Sequence, residues 1–201
     1  MRGPTVVNRF LDKRISEIDL SADAHQVRTM PMFMRNLIYL VLAFICFATT
    51  PAQAEVVITF YSHEFGENFP HAFITLKGKV ESNGEEVDTN YGFTAKNTSP
   101  AILFGSVTGI VETKNIKYVT KSDPHFSMTL SDDDYGRIIK LVEEWRNLPG
   151  KSYNLGKRNC VHFTMEAAAL LGLIINRQTK NFKKPKSFML ELKKLNPDLK
   201  L

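Results

Sequence analysis

Asn83-Gly84 lies between two runs rich in β-branched and aromatic residues, His71 to Gly78 before it and Val87 to Thr94 after it. A two-residue hairpin turn needs left-handed backbone at its centre, and Asn-Gly supplies it at the least steric cost, so the two runs are predicted to pair antiparallel. Glu55 to Tyr61 reads as a strand before them, and Ile102 to Glu112, Ile116 to Val119 and Phe126 to Leu130 as strands after them, with a break at Ser99-Pro100. A helix follows. Ser131 can cap it, Asp132, Asp133 and Asp134 suit its positive end, and Tyr135, Ile138, Ile139, Val142 and Trp145 share one face until Leu148-Pro149-Gly150. The Ala- and Leu-rich stretch beginning at Asn159 or Cys160 and stopped by Gly172 is predicted as a second helix. The expected class is α+β, an antiparallel sheet packed against helices.

The first 54 residues read differently. Met34-Arg35-Asn36, the apolar run Leu37 to Ala48 and the small-residue ending Ala52-Gln53-Ala54 are the three parts of a secretory signal. The apolar run is shorter than the roughly 20 residues that span a bilayer. The expectation is a signal peptide over 34–54 cleaved after Ala54, giving an exported, periplasmic or secreted protein with no stable membrane span after cleavage. Bulky Ile45 before Cys46 speaks against a lipid-anchored form. Residues 1–33 are expected to be an N-terminal extension or a misassigned start.

Composition narrows the function. Two cysteines exclude a disulfide-dense scaffold and a thiolate-rich zinc site. A net charge of +5 is too small to imply nucleic acid. His63, Glu64, Glu67 and His71 straddle Pro70 without a metal-ligand spacing, so no metal and no cofactor is expected. Beyond Ala54 one cysteine remains, Cys160, at the expected first turn of a helix, where unsatisfied N–H groups and the macrodipole favour an anion and lower a thiol pKa. A nucleophilic thiol needs a base within reach and a polar group to orient that base. His71, opening a strand, is the candidate base.

Tyr153-Asn154-Leu155, then Asn159-Cys160-Val161-His162-Phe163, together with the upstream His71-Ala72-Phe73-Ile74-Thr75-Leu76-Lys77-Gly78, resemble the circularly permuted papain-like thiol hydrolase superfamily. The similarity is to its lecithin-retinol-acyltransferase-like proteins and its permuted cysteine peptidases. The resemblance covers about Glu55 to Leu173. It implies a permuted papain-like catalytic domain over 55–175, with the sheet packed on a helix that starts at the nucleophile, Cys160, and with His71 as general base. Acyltransferase-like members often carry a second histidine as the orienting group and a Glu after the cysteine. Here no histidine occurs between His71 and His125, and Val161 replaces the acid. Asn90 on the return strand is the expected orienting residue and Thr94 the reserve, while His63 and Tyr153 are expected to line the substrate site. His162, about 200° around the helix from Cys160, is expected to pack or cap.

The functional expectation is an exported cysteine-dependent hydrolase that cleaves a peptide or cell-wall-type amide through a thioester. The missing acid and second histidine favour the amide. A lipid acyltransferase or thioesterase is the alternative, which exposed apolar helices beside the site would favour, and a non-catalytic binding domain that retains the fold is the third possibility. Residues 176–201, rich in lysine, are expected to be a solvated basic tail with one amphipathic turn from Lys186 to Leu195.

Overall fold

A computed structural model of the chain describes residues 31–34, 36, 55–64, 69–97 and 99–201. The chain divides into two compact units, Met1–Ala52 and Gln53–Leu201. Apart from residues 31–34, 36 and Glu55, the extension over 1–33, the signal segment over 34–54 and the cleavage point after Ala54 lie outside the described residues. The architecture below is that of the second unit.

Five strands form one antiparallel sheet: β1 (Val56–His63), β2 (His71–Lys79), β3 (Glu86–Ala95), β4 (Gly109–Glu112) and β5 (Asp123–Leu130), in spatial order β4-β3-β2-β1-β5. Five helices join them: α1 (Ala101–Phe104), α2 (Ile116–Thr120), α3 (Asp132–Arg146), α4 (Cys160–Leu170) and α5 (Pro185–Leu195). The β2–β3 hairpin forms as expected but through a turn longer than two residues: the Val80 N–H donates to the Glu85 carbonyl at 2.9 Å, and Gly84 and not Asn83 takes the left-handed backbone, at φ +73°. Among the described residues no helix is long and apolar enough to cross a membrane.

Strand alternation sorts the side chains into two layers. On β1, Val56, Ile58, Phe60 and Ser62 are buried in turn. Phe60 stacks on Phe126 of β5 at 4.6 Å, while Phe93 meets Trp145 of α3 edge-on at 4.8 Å, and Trp145 meets Phe163 of α4 at 5.4 Å. This is the hydrocarbon core. The opposite face carries a second, aromatic layer: Tyr61 stacks on Phe73 across β1 and β2, and Tyr118 of α2 lies over both Phe73 and His63. Covered on both faces, β2 is buried continuously from His71 to Ile74.

Three expected features differ. Only Gly109–Glu112 of the 102–112 run is a strand, because Ala101–Phe104 coils into α1 directly after Pro100, whose fixed φ suits a helix entrance. Ile116–Val119 is helical despite its β-branched residues, since Asn115 accepts the N–H of Tyr118 at 3.0 Å and starts a turn. Residues 176–201 are not a solvated tail. Pro185 starts α5, which buries Phe188, Met189 and Leu192 and packs on β1.

Candidate active site

Asn159 builds the start of α4. Its side-chain oxygen accepts from the N–H groups of Val161 at 2.9 Å and His162 at 3.3 Å, and its amide nitrogen donates to the carbonyls of Leu155 at 2.7 Å and Phe182 at 2.8 Å. His162 completes the reciprocal cap through Nδ1 and stacks on Phe182 at 4.5 Å. The histidine two positions after Cys160 thus caps and packs. Cys160 is the first helical residue and is buried, with 6% of its surface exposed.

The thiol meets β2. The hydrogen-bonded register between β2 and β3 runs from Lys79↔Glu86 to Ile74↔Tyr91, and just beyond that end the N–H of Ala72 turns to the Cys160 sulfur. The N–H groups of Val161 and of Cys160 itself also face it. These N–H groups favour the thiolate. Burial outweighs them, however, and the thiol pKa is pushed up to about 11. The lowered pKa expected at a helix start is therefore overturned, because the expectation counted the helix dipole and not the loss of water around the sulfur.

His71 is Ala72's neighbour and is equally buried. Burial first, then the Lys114 charge, then His63, bring its pKa down to about 3, so the imidazole is neutral at pH 7. Its Nε2 has no hydrogen-bond partner. The ring lies against β3 at Gly92, where a Cβ would run into Nε2 and come within 3.1 Å of the Phe73 Cβ. Gly92 is a further site residue. The signal was there, since a glycine inside a strand-like run marks close approach by a neighbour.

Asn90 does not serve as the orienting residue. It faces Thr75 in the register, and both ends of its amide are held by the Lys114 backbone, at 2.8 Å to the carbonyl and 2.7 Å from the N–H. A strand's period assigns a face, not a position along it, and the carboxamide found main-chain partners in the crossing to α2. Continued by three residues, the same register brings Thr94 level with His71. Lys114 itself pairs with Glu112 at 2.6 Å and lies 5.0 Å from the centre of the Tyr118 ring.

Two cavities meet at Pro70, the residue before His71, and neither Cys160 nor His71 is part of their lining. One, of about 510 Å³, is largely apolar and is lined by Pro70, Thr94, Ile102, Leu103, Tyr153 and Leu155 among others. Tyr153 is set in its wall by a two-way backbone bridge with Val107 at 2.9 Å and by contact with Phe93. The second, of about 300 Å³, is polar and includes His63, whose Nδ1 pairs with Ser122 at 2.9 Å. No group of acidic, histidine and cysteine side chains among the described residues could hold a metal ion. No protein-family model, curated protein or solved structure matches the chain.

Proposed function

We propose that this chain is a cysteine-dependent acyl-transfer enzyme, a thiol hydrolase of permuted papain-like design exported by its 34–54 segment. The observation that carries this reading is the buried Cys160 thiol at the first turn of α4, with the N–H of Ala72, the residue next to His71, turned toward it. Thiol and imidazole both rest neutral. In the reaction the Sγ proton passes to His71 as sulfur bonds to the carbonyl carbon, and the oxygen that becomes negative takes up main-chain N–H groups at the helix start. The leaving group departs with the proton from His71 and a thioester remains. Water then attacks the thioester with His71 again as base, freeing the acid and the thiol. The unpartnered Nε2 supports this role, since no other group competes for that nitrogen.

The preference for a peptide amide rested on motif residues that are missing. The apolar cavity near this centre favours an apolar acyl group instead, in ester or amide linkage, because Ile102 and Leu103 of α1 line it and Leu103 is 73% exposed. The test is hydrolysis of chromogenic esters of increasing acyl length by the full chain and by Cys160→Ala, with peptide mapping of trapped protein. The expected result is turnover that rises with chain length, vanishes in Cys160→Ala and leaves a thioester on the peptide holding Cys160. Turnover that survives in Cys160→Ala, or no ester hydrolysis and no adduct, overturns it.

A further inference from the structure

The two cavities share a wall. Pro70 and Lys183 line both the apolar chamber and the polar one, so a molecule filling both would run from hydrocarbon, past the residue that precedes His71, into a region lined by Lys183, Lys184 and the start of α5. The charges there are not equivalent. Lys186 is neutralised by Asp123 at 3.0 Å and Glu64 at 3.7 Å, which also accounts for the one acid lining the chamber. Lys183 and Lys184 are exposed and have no ion pair among the described residues. The α5 entrance adds main-chain donors: no side chain caps it and its first turn holds no acid. Lys183 is not placed at random either, because Asn159, the neighbour of the thiol, holds the carbonyl of Phe182 directly before it.

We infer that the Cys160 site is built for an anionic amphiphile, its acyl chain in the chamber beneath α1 and its phosphate or carboxylate between Lys183, Lys184 and the α5 N–H groups. This rests on the acyl-transfer reading and adds the charge of the substrate, so that Lys183 and Lys184 determine specificity against zwitterionic and cationic amphiphiles of equal chain length. A free amphiphile and the headgroup of a lipid share this chemistry.

Binding is measured calorimetrically with the full chain carrying Cys160→Ala, which separates recognition from turnover. The probes are dodecyl phosphate, dodecylphosphocholine and dodecyltrimethylammonium, each below its micelle concentration. The phosphate is expected to bind most tightly, and Lys183→Ala/Lys184→Ala to weaken it by about tenfold to a hundredfold while leaving the phosphocholine unchanged. Leu103→Asp is expected to weaken all three. Vesicles of phosphatidylglycerol against phosphatidylcholine distinguish the sources: retention on the anionic vesicles, lost in the double lysine variant, identifies a lipid headgroup, and capture of dodecyl phosphate without retention identifies a free amphiphile. Equal affinity for the three probes, or an unchanged phosphate affinity in the double lysine variant with circular dichroism intact, overturns the inference. Ester turnover with no anionic preference would sink this inference alone and leave the acyl-transfer reading standing.

Discussion

Helices α3 and α4 begin with the same device and use it for opposite ends. At α3, Ser131 caps Asp134, and the positive end is filled by Asp132, Asp133 and Asp134. Asp132 also accepts the N–H groups of Glu81 at 3.0 Å and Ser82 at 2.7 Å, which holds its carboxyl below the usual range and ties the helix to the β2–β3 turn. At α4, Asn159 caps Val161 and His162, and no acid stands in the first turn. The field that α3 spends on its own carboxylates α4 leaves for Cys160. A helix start satisfied by its own acids is an anchor, and one left without them can host chemistry.

The sharpest way to break the comparison is to remove each cap. Asn159→Ala gives up two accepted and two donated bonds at a residue 2% exposed, and an unfolding midpoint in urea should report a loss of about 2–4 kcal/mol. Gly92→Ala comes next, at about 1–3 kcal/mol from overpacking against His71 and Phe73. Adding His71→Ala should recover part of that loss, and a double variant no more stable than Gly92→Ala would show that the crowding lies elsewhere.

These two neutral groups predict a two-sided pH dependence. For His71 the folded pKa of about 3 lies below the ordinary 6.5, so the unfolded chain binds the proton first and stability falls as pH drops from 6.5 toward 3. For Cys160 the folded value of about 11 lies above the ordinary 9.0, so the unfolded chain loses its proton first and stability falls as pH rises from 9 toward 11. Each limb should slope by at most about 1.4 kcal/mol per pH unit. Denaturant midpoints across pH should lose the acid limb in His71→Ala and the alkaline limb in Cys160→Ala; limbs that persist would contradict the assignment. The smallest effect is at the anchor, where Ser131→Ala should cost about 1 kcal/mol and leave ester turnover unchanged.

What was legible in the chain followed from local rules. Ser131 with its three acids, Asn159 before Cys160, and Asn83-Gly84 between two β-rich runs each state their structure within a few residues, and the resulting sheet and helix starts are as expected. Ile116–Val119 was not legible, because Ile116, Tyr118 and Val119 suit a strand and only the Asn115 cap decides otherwise. Asn90 was misjudged because its partner, the Lys114 backbone, lies 24 residues away. The protonation of Cys160 and His71 was out of reach for a related reason: their pKa values are set chiefly by burial, which depends on how the whole domain closes around them.

Asn159 leaves little room for inheritance to vary. One short stem delivers an oxygen to two N–H groups and a nitrogen to two carbonyls, from segments separated by 23 residues at the far end. Aspartate has no N–H to offer, serine a single hydrogen, and glutamine carries the same amide one methylene too far. A descendant of this chain could exchange the apolar walls of its chamber, or the lysines at its rim, and so adopt a new substrate. It could not exchange residue 159 without rebuilding the cap, the 155 loop and the 182 loop together, so the three segments are bound to change as one.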